Sequence, residues 1–62
     1  MDADRLLVTP AEAARRLSLA RSTVYQLVLT GELESIKVGR SRRVLASALT
    51  EYIDRLRREQ RG

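Results

Sequence analysis

The stretch from Thr9 to Ala46 constrains the fold more than any other part of the chain, because each of its breaks carries its own chemical signal. Pro10 follows Thr9, and Glu12 stands three residues after Thr9. Threonine is a good helix N-cap, and proline fits the first helical position, where its missing N–H costs nothing. A glutamate at the third position completes a capping box. The helix that starts here runs to about Leu17, with Ala13, Ala14 and Leu17 inward and Arg15 and Arg16 outward. Ser18, Leu19 and Ala20 form a three-residue turn, Leu19 being expected as an apolar plug between two helices. A second helix runs from about Arg21 to Thr30. Its Val24, Leu27 and Val28 recur at i, i+3 and i+4 as one apolar stripe, and Gly31 supplies the left-handed residue that ends it.

Beyond Gly31 the period changes. Leu33 anchors the exit from the helix. Ile36 and Val38 alternate with Ser35 and Lys37, as in a half-buried strand. Gly39-Arg40-Ser41-Arg42 supplies a turn and Arg43 to Leu45 the return strand, with Val44 expected to face the core beside Ile36 or Val38. A last helix starts near Ala46 or Ser47. Its Leu49, Ile53 and Leu56, at i, i+4 and i+7, form the expected buried stripe, with Tyr52 beside it. Leu6, Leu7 and Val8 are a short apolar lead-in. Residues 1–5 and 58–62 are polar and expected to be disordered tails. The expectation is one domain over 1–62, mainly α with a small β-hairpin: two short helices, a two-stranded hairpin and a C-terminal helix. Two helices across a tight turn, followed by a basic hairpin, form a helix-turn-helix that holds one helix in a DNA groove while a loop grips the backbone beside it.

Composition narrows the alternatives. With 62 residues and no cysteine, the chain has neither a disulfide nor a thiolate metal site to staple it. A domain of this size buries only about 60% of the surface its unfolded chain exposes, so its stability is marginal. Tyr25 and Tyr52 are the only aromatics, leaving an aliphatic core. The absence of histidine removes the commonest general base and metal ligand. The carboxylates are scattered or paired with arginine at helical spacing, as Glu51 with Arg55, and the serines lack a base. No enzyme activity and no cofactor is expected. No apolar run approaches the roughly 20 residues of a membrane span, and the N-terminus lacks a secretory pattern; the expected location is the cytoplasm, without membrane or small-molecule partner.

The net charge of +4 is unevenly distributed. Residues 13–45 set Arg15, Arg16, Arg21, Lys37, Arg40, Arg42 and Arg43 against Glu32 and Glu34, a net of +5, whereas residues 1–12 carry −2 and residues 46–62 carry +1. Charge alone would suit a solvated basic surface equally well; its place on the two helices and hairpin points to double-stranded DNA. A helix that reads DNA buries one stripe and presents polar side chains near its N-terminus. Arg21, Ser22, Thr23, Tyr25 and Gln26 suit this: arginine forks onto guanine or phosphate, and glutamine pairs with adenine. Lys37, Arg40, Arg42 and Arg43 put four cations within seven residues around one glycine, suited to a minor groove or its phosphates. Arg15 and Arg16 are weaker candidates for phosphate contact, since exposed arginine on helices is common. Leu29 is expected to be exposed near the end of the second helix, where it could meet a thymine methyl or a neighbouring protein, or do nothing.

The ordered set Arg21-Ser22-Thr23-Val24-Tyr25, Gly31-Glu32-Leu33, Ile36-Lys37-Val38-Gly39-Arg40 and Arg43-Val44 resembles the excisionase-type, MerR-like winged helix-turn-helix family, over about Leu7 to Ile53. The resemblance implies that the second helix enters the major groove and that the Gly39 hairpin is the wing. Three residues depart from the family pattern: Ser18 replaces a turn glycine, Ala20 a serine N-cap, and Leu29 a residue that is frequently basic. The family contains excisionases (recombination directionality factors), which bind near an attachment site, bend DNA and direct an integrase toward excision. It also contains small transcriptional regulators, and DNA-binding fragments of larger ones fit the same pattern. A lone module of this size binds weakly, so cooperative self-association of several copies on adjacent sites is expected, with Leu29, Tyr52 and the Arg57–Arg61 segment as contact surfaces.

Overall fold

The computed structural model describes residues 6–61. In chain order the elements are β1 (Leu7–Val8), α1 (Pro10–Leu17), α2 (Arg21–Leu29), β2 (Ser35–Val38), β3 (Ser41–Leu45) and α3 (Ala46–Arg61). The expected tail over 1–5 lies outside the described residues.

The signals at the start of α1 act as their chemistry requires, with one change. Thr9 Oγ1 accepts the Glu12 N–H at 3.0 Å. The Glu12 side chain does not complete the box: its carboxylate takes Arg15 and Arg16 instead. Two guanidinium groups offer it stronger, charge-assisted bonds than one backbone amide would. The helix ends at Ser18, which holds a left-handed φ of 58° while its N–H bonds back into the last turn. Leu19 is 36% exposed and stands outside the core, so it is not the plug. The small Ala13 and Ala14, both buried, let α1 approach α2 closely enough to close the gap without it.

The lead-in at Leu7 and Val8 is a strand, so the hairpin belongs to a three-stranded antiparallel sheet of order β1-β3-β2. Leu7 pairs with Leu45 and Val8 with Val44. The turn is Gly39-Arg40 alone, since Val38 already pairs with Ser41. Gly39 has a φ of 62°, whereas Arg40 is not among the positive-φ residues. That combination suits the tight hairpin class with glycine first.

Register explains why Ile36 and Val38 are not beside Val44. Ser35 opposes Val44, Ile36 opposes Arg43 and Val38 opposes Ser41. Alternation therefore puts Ile36 and Val38 on the other face of the sheet, where they are 41% and 50% exposed. Leu33, in the preceding loop, fills the core place instead at 1% exposure.

The core is Val8, Ala13, Ala14, Val24, Leu33, Val44, Ala48 and Leu49, drawn from every element except β2. On α3 the inward residues are Ala48 and Leu49, with Tyr52 packed against them. Ile53 is 41% exposed rather than part of the stripe. Because α3 leaves β3 directly at Ala46, the strand sets the rotation of the helix, and its inward face passes through Ala48 instead. Residues 58–61, expected to be a disordered tail, continue α3 to Arg61. They contain no glycine or proline, arginine, glutamate and glutamine are good helix formers, and Arg58 and Arg61 suit the negative end of the helix dipole.

Candidate nucleic-acid interface

Burial of Val24, with Leu27 and Val28 half-buried, decides which way α2 faces. Arg21, Ser22, Thr23, Tyr25 and Gln26 are all exposed on its remaining surface. The start of α2 is also open. Its N-cap, Ala20, has the extended backbone a cap requires but no side-chain acceptor, and the first turn holds no acid. The Thr23 and Val24 amides both reach the Ala20 carbonyl, at 3.0 and 3.2 Å. The amides ahead of them are among the groups a helix leaves without internal partners.

The hairpin divides its cations. Lys37 and Arg42 oppose each other in register and share a face with Ser35 and Val44. Arg40 is exposed at the tip of the turn. Arg43 opposes Ile36 on the other face, where it is half-buried and donates to the Arg42 carbonyl at 3.2 Å. Arg42 is oriented by Ser35, whose hydroxyl accepts from Nη1 at 3.0 Å. It lines an open groove with Tyr25, Val28 and Leu29 of α2. The structure thus brings Arg42 and the Tyr25 side of α2 to one surface. Arg43 belongs to the opposite face of the hairpin. Leu29 is 79% exposed, as expected.

Arg15 and Arg16 differ from these cations in being paired. Arg15 Nη2 lies 2.6 Å and Arg16 Nε 2.8 Å from Glu12 Oε2. Arg16 first and Arg15 second hold the Glu12 carboxyl below the usual glutamate range. Among the described residues, Arg21, Lys37, Arg40, Arg42 and Arg43 make no ion pair.

Two side-chain contacts join segments distant in sequence. The Ser35–Arg42 bond was within reach of sequence: period two places Ser35 with Lys37, and Lys37 opposes Arg42 once the turn is two residues long. The second is Arg55, which pairs not with Glu51 but with Glu32, 23 residues away. No local spacing signals a partner at that separation.

Three helices around a small antiparallel sheet, with a projecting basic hairpin, define a winged helix-turn-helix module. The chain belongs to the helix-turn-helix domain family, whose sequence profile matches residues 7–57. It is 44% identical over 57 residues to a Saccharopolyspora erythraea protein named "Probable excisionase", covering 92% of this chain and 58% of that one. It is 44% identical to the "Putative DNA-binding protein Rv0500A" of Mycobacterium tuberculosis, covering 77% of this chain and 62% of the relative. It is 43% identical to an "Excisionase" of Streptomyces ambofaciens, covering 76% of each chain. The chain spans about three-fifths of the length of the first two of these relatives. No solved structure matches it significantly.

Proposed function

We propose that this chain is a sequence-specific DNA-binding excisionase. In this reading α2 enters the major groove, with Arg21, Ser22, Thr23, Tyr25 and Gln26 toward the bases and backbone. The hairpin lies against the adjacent backbone or minor groove through Lys37, Arg40 and Arg42. Arg43, on the far face of the hairpin, has a smaller part. Arg15 and Arg16, already paired with Glu12, contribute least.

The observation that carries this reading is the likeness to two actinobacterial proteins named excisionases, one of them over nine-tenths of the chain. The surface shared by Tyr25 and Arg42 supports it from the structural side. Excision requires more than binding. Bound near an attachment site, the protein bends DNA and positions an integrase, so that recombination runs toward release of the element. The setting is the cytoplasm, where the DNA is; no helix among the described residues is long and apolar enough to cross a membrane. The motif resemblance supports a MerR-like winged helix, and the reading requires no small-molecule ligand.

One such module buries about 600–1,000 Å² on DNA. If it neutralises about five phosphates, log K falls with log salt at a slope near −4.5. Several copies on adjacent sites compensate for so weak a single contact. The relative from Mycobacterium tuberculosis, whose name specifies DNA binding only, favours a second reading as a small transcriptional regulator.

An excision assay with the cognate integrase separates the two. Added protein stimulates release of the element if it is an excisionase. No stimulation at saturating protein, with binding to the same DNA intact, rejects the first reading and leaves the second.

A further inference from the structure

We infer that Arg55 is a positioning residue: from α3, away from the interface, it fixes the angle between α2 and the hairpin by clasping the loop that joins them. The inference rests on the DNA-binding reading above. That loop begins at Thr30, the C-cap of α2, and ends at Glu34, just before β2. Its two ends are tied to their own elements. Gly31 N–H bonds Val28 and Leu33 N–H bonds Leu27, at 3.2 and 3.1 Å, while the Glu34 carbonyl accepts from Leu45 in β3 at 3.3 Å. Glu32, at the middle, is held from outside. Arg55 Nη2 donates to its carbonyl at 2.9 Å and lies 4.0 Å from its carboxylate.

The guanidinium is itself held in place. It sits 5.5 Å from the centre of the Tyr52 ring, one turn back on α3, a cation–π arrangement that arginine favours. Tyr52 in turn packs on the core. Among the described residues this is the one side-chain hydrogen bond that joins α3 to another element. Otherwise α3 rests chiefly on β3 and α1, and none of its larger contacts is with α2. The clasp therefore transmits the fixed position of α3 to the junction of helix and wing. A DNA site contacted by both needs them at one angle, whereas non-specific binding through cations alone does not.

The test uses the full chain, with a duplex enriched from a randomised pool by the wild-type protein and a scrambled duplex of the same length and composition. Arg55→Ala is expected to lose about tenfold in affinity for the enriched duplex and less than about twofold for the scrambled one, with an unchanged salt slope. Arg55→Lys keeps the charge but has neither the planar group to stack on Tyr52 nor the fork to span carbonyl and carboxylate. It is expected to lose several-fold on the enriched duplex alone, and it carries the comparison if the alanine variant fails to fold. A residue that touches phosphate behaves otherwise: its alanine variant loses equally on both duplexes with a salt slope smaller by about one, and its lysine variant loses nothing. Either that pattern, or folded variants that keep enriched-duplex affinity within twofold, overturns the inference alone. A wild-type chain that enriches no duplex overturns the DNA-binding reading first, and the inference with it.

Discussion

The two short helices lie side by side and differ by one residue in length, yet their ends are built in opposite ways. At α1, a threonine oxygen, a proline and a glutamate satisfy or suit the N-terminal turn, and the same glutamate pairs with both arginines that follow. At α2 there is no side-chain cap, no acid in the first turn and no base in the last. An isolated helix of nine residues is unstable in water, so α2 persists because Val24, Leu27 and Val28 pack on the core beneath it. One helix has its start capped and its charges paired along its own length. The other is held by its buried side, and its open end and outward face are left for the partner proposed above.

If packing holds α2, the largest effect follows from cutting the core at its exit. Leu33 is the largest of the fully buried side chains, and Leu33→Ala should remove about 2–5 kcal/mol. A chain of this size has roughly 3–9 kcal/mol of stability in all, so the variant should lose a large share of it and unfold at a much lower urea concentration than the parent. Urea titration followed by far-UV circular dichroism measures this. A loss below about 1 kcal/mol would mean that the loop collapses into the space and that α2 has other support.

The comparison also sorts the arginines. Arg21→Ala and Arg42→Ala should each weaken binding to a duplex selected by the wild-type protein by about 1–3 kcal/mol if the contact is to a base edge. If it is to phosphate, the loss should be similar across sequences, with a shallower salt slope. Arg15→Ala should stay within about twofold, because Glu12 already takes that charge at 2.6 Å. Gel shifts at matched salt decide the matter. Equal losses for Arg15 and Arg21 would erase the distinction between the helices.

These contrasts were only partly legible beforehand. Both helices, the glycine that ends α2 and the hairpin cations follow from local chemistry: caps, the i, i+3, i+4 stripe, and a positive-φ turn residue. The misplaced residues share a different cause. For Ile36 and Val38, alternation reports two faces without saying which is buried; the register with β3 decides that, and it depends on a turn two residues shorter than the sequence suggests. For Ile53, helical spacing points inward but does not reveal the rotation that β3 imposes on α3. The strand at Leu7–Val8 is too short to show a period, and Glu32–Arg55 is a contact made by tertiary packing. Of the interface, the identities of the exposed α2 residues could be read directly, but the separation of Arg43 from Arg42 could not.

The missing cap on α2 can be restored. Ala20 has φ −69° and ψ 151°, already the backbone of an N-cap, so Ala20→Ser adds an acceptor without moving the chain. It should stabilise the domain by about 1 kcal/mol, raising the melting temperature by about 4–8 °C. Thr9→Ala, which removes the corresponding oxygen from α1, should lower stability by a similar amount. A serine at position 20 that changes nothing in the melt would mean that the open amides of α2 are no weaker than the capped ones of α1.

The smallest effect separates the helices by pH. The Arg16 and Arg15 guanidinium groups lower the Glu12 carboxyl below its usual range in the folded chain. A carboxylate whose folded pKa is depressed contributes stability that is fully present above its unfolded value and is lost as pH falls through the folded value. The melting-temperature gap between the parent and Glu12→Gln should therefore be widest at neutral pH and narrow below about pH 4, where the unfolded chain already takes up the proton. The site is exposed, so the gap is small even at its widest. Added salt should narrow it further at neutral pH. No such gap is expected at the start of α2, whose first turn has no carboxylate to protonate. A gap that stays constant from neutral to acidic pH would show that the contribution of Glu12 to α1 does not depend on its charge, and the charge contrast between the two helices would then contribute nothing to folding.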